Sequence, residues 1–414
     1  MMNIKLRLIF MNFLHYFVWG SWLISMGKYM IVTLHFTGGE VASVYGTMGI
    51  ASLFMPGLLG ILADRWINAE RLLGTCHLIG AGLLLWASTI HDYPTLYIIM
   101  LLNACFYMPG IALTNTVSYI VLEKKGFNIV EIFPPIRVWG TVGFIIAMWT
   151  VDIFGWTASP MQLYVSAGAG LLLGLYAFTL PACTPVKTTQ KKTLASSLGL
   201  DAFVLFKQRK MAVFFLFAMF LGAALQITNA FGLPFISDFS HNYADTFAVK
   251  HPNLLTSISQ ISETLFILTI PFFLNRFGIK KVMLMSIFAW VFRFGLFGIG
   301  NPGSGLPFLV LSMIIYGMAF DFFNISGSLF IEKEASITIR ASAQGLFMIM
   351  TNGLGAFLGG VGSGWVVDHF TVNGVKDWHS IWFVFAGYAL VLGLVFPFAF
   401  KYDHRRGALH AVGH

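Results

Sequence analysis

Stretches of roughly twenty or more apolar residues recur from residue 8 to residue 400, each closed by a short polar break. A bilayer core about 30 Å thick takes about 20 helical residues to cross. Backbone groups inside it must find hydrogen-bond partners within the chain, so a polypeptide with this pattern folds as a bundle of spanning helices. Composition agrees: 57% of the 414 residues are hydrophobic, Phe alone contributes 42, and only 10% are charged. No water-soluble domain of this size hides that much apolar surface.

The runs and their breaks place spans near 8–34, 41–63, 71–90, 95–121, 137–155 and 162–180, then near 211–236, 253–275, 281–300, 306–332, 341–367 and 380–401. The expected fold is an all-α membrane protein of twelve transmembrane helices. Two six-helix halves, 1–180 and 211–401, are joined by a hydrophilic linker at 181–210, and a tail follows at 402–414. Of the 25 Lys and Arg residues, 21 fall at the termini or in even-to-odd loops, counting Arg137 at a helix start, whereas only Lys250 and Lys376 fall in the opposite loops. Both termini are therefore expected in the cytoplasm. The net charge of +8 thus marks topology and makes no case for a nucleic-acid partner. Lys28 and Arg293 remain within spans, where long side chains near a helix end are expected to snorkel.

The first span follows Lys5 and Arg7, is too long for a signal-peptide core and has no small-residue cleavage site, so it is expected to stay as helix 1. Cys76, Cys105 and Cys183 form no CxxC pair, so neither a disulfide framework nor a zinc site is expected. No cofactor is called for. Nor does the chain carry GxSxG, HExxH or paired aspartates within its spans, which argues against an intramembrane enzyme.

Gly60, Asp64 and Arg65 make a GxxxDR pattern after helix 2, and a weaker echo, Asn275 to Lys281, lies 211 residues later. The same offset carries helix 4 onto helix 10. Equal spacing of several features argues for a parallel internal repeat, as in major facilitator proteins.

Ionised groups at mid-bilayer cost at least roughly 2.5 to 3.5 kcal/mol, so those that persist are paired or functional. Helix 10 carries Asp321, Asn324 and Ser328 at i, i+3 and i+7, with Tyr316 and Phe320 beside that stripe. Helix 8 offers Gln260 and Glu263, and helix 7 offers Gln226 and Asn229, each pair at i, i+3. In helix 5 a double proline, Pro134 and Pro135, is expected to set the helix start, after which Arg137, Thr141 and Phe144 share a face. Arg137 is either an interfacial anchor or the partner of a carboxylate, Asp321 or Glu263. Helix 11 contains two GxxxG spacings, expected to mediate close packing. His15, Trp19, Trp22 and Met26 in helix 1, with Asn103, Asn115 and Ser118 in helix 4, are further candidates for a cavity wall. Amides, carboxylates and aromatic faces together suit a flat, neutral, polyhydroxylated ligand.

The stretches FVWGSWL at 17–23, FMPGLLGILAD at 54–64, EIFPPIRVWGT at 131–141, LGLDAFVLF at 198–206, SISQISETLFILTIPFF at 257–273 and FDFFNISG at 320–327 carry a resemblance that covers nearly the whole chain. It is to the nucleoside:proton symporter family of the major facilitator superfamily. The resemblance implies proton-coupled import of purine and pyrimidine nucleosides, such as uridine and adenosine, by alternating access in a bacterial inner membrane, by a monomer. The same fold carrying one nucleoside such as xanthosine, or a sugar, is the alternative. It implies a substrate site of Arg137, Thr141, Phe144, Gln226, Asn229, Gln260, Glu263, Tyr316, Phe320 and Asp321. Asp64 and Arg65 become a gating element. Asp321 is expected to carry the coupling proton, with Glu263 as its competitor.

Overall fold

The structure is a computed structural model that describes residues 3–185, 200–336 and 339–402. Residues 186–199 of the expected linker and all but the first residue of the tail lie outside the described residues. Helix α1 spans 4–33, as Ile4–Gly20 followed after a turn by Met26–Lys28 and a π-helical stretch, Tyr29–Thr33. The rest of the first half is α2 (Gly38–Arg65), α3 (Ala69–Ala87), α4 (Tyr93–Lys124), α5 (Ile129–Ile153) and α6 (Met161–Ala177). A 3-10 helix, Leu200–Lys207, leads into α7 (Arg209–Asp238).

Helical hydrogen bonding runs unbroken from Pro252 to Ile299, yet Gly278 within it has φ 77° and ψ 165°, a conformation that glycine reaches without a Cβ penalty. Arg293 Nη1 lies 3.4 Å from Ser259 Oγ, residues that a continuous helix would hold about 50 Å apart at about 1.5 Å per residue. The stretch is therefore a hairpin of two spans, α8 (252–277) and α9 (279–299). Then come α10 (Leu306–Glu334), α11 (340–369, with a π-helical segment at Ile349–Gly355) and α12 (Trp378–Ala399). Among the described residues these twelve long helices, six before and six after the linker, match the expected fold.

Capping fixes several helix starts. Thr37 and Glu40 form a reciprocal capping box on α2, while Asp92 and Asp377 accept backbone N–H groups at the starts of α4 and α12. The double proline is a correction: α5 begins at Ile129, and Pro134 and Pro135 sit in its second turn. Both are exposed there, where carbonyls left without a helical N–H can be hydrated.

The glycines of α11 serve packing, as expected. A Cβ on Gly359 would come within 2.5 Å of the Ala223 backbone of α7, and one on Gly222 of α7 within 2.1 Å of the Thr351 carbonyl of α11. Those two helices touch backbone to backbone.

Candidate functional site

A cavity of about 660 Å³ lies between the halves. Its wall is built by α1, α2, α4 and α5 from one half and α7, α8, α10 and α11 from the other, leaving α3, α6, α9 and α12 as outer supports.

Nine of the ten expected site residues line it: Arg137, Thr141 and Phe144 from α5, Gln226 and Asn229 from α7, Gln260 and Glu263 from α8, and Tyr316 and Phe320 from α10. Each pair shares a helix face because i, i+3 and i+4 neighbours stack along a 3.6-residue turn. Tyr316 and Phe320 hold their rings parallel to within 2°, centroids 5.9 Å apart, and Gln260 sits close enough to interact with the Tyr316 hydroxyl. Asp321, the tenth, is not in the wall. One residue beyond Phe320 turns it about 100° around the helix, where it is 4% exposed and its Oδ2 has no partner among the described residues. It remains within electrostatic reach of Glu263.

Arg137 stands over the Tyr16 ring at 4.0 Å and within electrostatic reach of Glu263 across the cavity. A guanidinium on an aromatic face thus shares the cavity with a carboxylate of the opposite half, Glu263, at longer range than an ion pair. Gly140 makes this possible, since a Cβ there would meet Tyr16 Cδ2 at 2.5 Å and Arg137 Nη1 at 2.8 Å.

Of the further candidates, Trp19 and Asn115 reach the wall. His15, Trp22, Met26, Asn103 and Ser118 are buried in helix contacts; His15 Nδ1 meets His77 Nε2 at 3.0 Å, and Ser118 donates to the Thr114 carbonyl. Tyr16 was missed, although it lies three residues before Trp19 on the same face. Asn352 and Thr351 were missed because a π-helical turn shifts the register of α11 there. The polar stripe on α10 proves to be mostly local: Asn324 donates to its own Phe320 carbonyl, and Ser328 exchanges hydrogen bonds with Gln344 of α11.

One end of the bundle is shut. Asp368 at the end of α11 accepts the backbone N–H groups of Gly38 and Gly39, both at 2.7 Å, at the start of α2. Asp152 of α5 accepts from Asn253 N and pairs with His251 Nδ1, both at 2.9 Å, and Trp149 donates to Ser257 at 2.9 Å. A carboxylate on the first N–H groups of a helix is favoured by both the free donors and the dipole. Toward the other end, which carries the N-terminus, the cavity continues past Pro56, Asn115 and Gly345. Asp64 and Arg65, expected in a loop there, form the last turn of α2, with Arg65 exposed and the side chain of Asp64 outside the described residues.

A family model described as nucleoside H+ symporter matches residues 2–405. The chain belongs to the nucleoside H+ symporter family. It is 57% identical over 406 residues to the xanthosine permease of Escherichia coli K12, covering 97% of both proteins. It is 52% identical over 408 residues to the nucleoside permease NupG of the same organism, covering 98% of both. A crystal structure of the nucleoside transporter NupG superposes with a TM-score of 0.92 at 52% identity, covering 97% of this chain and all of that one. This nucleoside H+ symporter is accordingly a transporter and not an enzyme.

For a symporter the shut end is one of two states. Removing Asp368 forfeits two charge-assisted hydrogen bonds, each typically worth about 1.5 to 3 kcal/mol. Asp368→Ala is expected to shift the population toward opening at that end by roughly 10²- to 10⁴-fold. Distances between spin labels placed across it check this, and an unchanged distribution would remove Asp368 from the closure.

Proposed function

We propose that this protein imports purine and pyrimidine nucleosides with protons across a bacterial inner membrane, as a monomer with both termini in the cytoplasm. The distribution of Lys and Arg supports that orientation, and the cavity then opens to the cytoplasm with its periplasmic end shut. The observation that carries the reading is the cavity wall: five amides (Asn115, Gln226, Asn229, Gln260 and Asn352), one carboxylate and one guanidinium from opposite halves, and a parallel aromatic pair.

In this reading Tyr316, Phe320 and Phe144 pack on the base. Gln226, Asn229, Gln260 and Thr141 pair with polar edges, Glu263 accepts sugar hydroxyls, and Arg137 fixes Glu263 from the facing half. Asp321, behind the wall, exchanges the proton and touches substrate only through Glu263. The halves, 1–180 and 211–401, rock about this site. Uptake of radiolabelled uridine and adenosine into proteoliposomes is expected to be concentrative under an inward pH gradient and to collapse without it. Competition by a panel of nucleosides and sugars sets the range; accumulation of xanthosine alone would overturn the breadth proposed, and a sugar outcompeting uridine would overturn the class.

Asp64 and Arg65 act in this scheme on gating, being the last two residues at the cytoplasmic end of α2, about two turns beyond Gly57 of the cavity wall. Asp64→Asn is expected to slow uptake several-fold while calorimetric uridine affinity stays near wild type. A matched loss of affinity contradicts the assignment.

A further inference from the structure

Arg293 does not snorkel. It is 5% exposed, and no carboxylate among the described residues forms an ion pair with it. Snorkelling needs an open path along the helix to water, and α9 instead presents this side chain to α8 and α10. Nη1 donates to the Ser312 carbonyl at 2.9 Å and lies 3.4 Å from Ser259 Oγ, while the Ser312 hydroxyl donates back to the Arg293 carbonyl at 2.8 Å. The guanidinium stands 4.5 Å from the centre of the Tyr316 ring, and Trp290, one turn earlier on α9, meets the same ring edge-on at 6.1 Å.

These contacts converge on α8 and α10, two of the four helices that the second half contributes to the cavity wall. Ser259 immediately precedes Gln260 and lies one turn before Glu263; Ser312 lies one turn before Tyr316. A buried guanidinium is costly to desolvate, and its planar fork with a cation–π face fixes direction in a way a lone ammonium does not. We propose that Arg293 is a positioning residue of the nucleoside site, which pins α8 to α10 and holds the Tyr316 ring at the cavity wall without touching substrate. This rests on the reading that nucleosides bind against Tyr316.

The test is a double-mutant cycle read by calorimetric uridine binding to the purified full chain. Arg293→Met is expected to weaken uridine roughly tenfold. In a Tyr316→Ala background, itself weakened, the same change is expected to add less than about twofold, because the ring it positions is gone. Arg293→Lys, which keeps the buried charge, runs through the same cycle in parallel and is expected to show a smaller loss with the same coupling. A purely structural Arg293 would lower the melting temperature equally in both backgrounds and leave affinity unchanged or additively reduced, and either result in the folded variants overturns the proposal. Wild-type protein that fails to bind uridine, or Tyr316→Ala that binds it normally, would instead sink the site reading itself.

Discussion

Proteoliposomes carrying Asp321→Asn are expected to lose uridine accumulation driven by a pH gradient, while uridine still equilibrates across the membrane. Asp321 is buried behind the cavity wall, with one carboxylate oxygen unpartnered among the described residues and Glu263 as its charged neighbour. Two neighbouring carboxylates in a low-dielectric environment do not both stay ionised cheaply, and the cation within reach of Glu263, Arg137, belongs to the other half. When the halves rock, Arg137 and Glu263 separate or approach, so proton occupancy and cavity access become linked. One proton moving through about 100 mV supplies about 2.3 kcal/mol, enough for roughly a fifty-fold gradient. Asparagine keeps the shape and cannot cycle a proton. If this variant still concentrates uridine when the outside is acidified, the proton is carried elsewhere and Glu263 is the first group to test.

Glu263→Gln is expected to weaken uridine binding about 10- to 100-fold, the usual cost of losing a hydrogen bond to a charged group. The residue lines the cavity beside Gln260 and opposite Arg137. Glutamine retains an acceptor oxygen, so the loss measures the charge and its attraction to Arg137 rather than shape. Calorimetry with unchanged affinity would remove Glu263 from the substrate site. The two variants also separate roles: Asp321→Asn is expected to leave equilibrium affinity nearer wild type than Glu263→Gln does.

The chain's own sequence determined how many times it crosses the bilayer, because span length and the internal satisfaction of backbone groups are local demands. It also determined which polar residues share a helix face. Gln260 with Glu263, Gln226 with Asn229 and Tyr316 with Phe320 follow from 3.6 residues per turn, and all six line the cavity. Which face of a helix meets the cavity is settled by its neighbours, and that the sequence could not carry. Of the expected stripe, Asp321 and Ser328 lie behind the wall and Asn324 sits in a small recess beside Phe320, while the aromatic pair itself forms the wall. Arg137 depends on Tyr16, 121 residues away, and on the missing Cβ of Gly140. Arg293 reads as a snorkelling cation until α8 folds back at Gly278 and brings Ser259 to it. Depth, partner and orientation of a polar group in a membrane bundle are set by contacts between distant helices, and only the tertiary structure contains those.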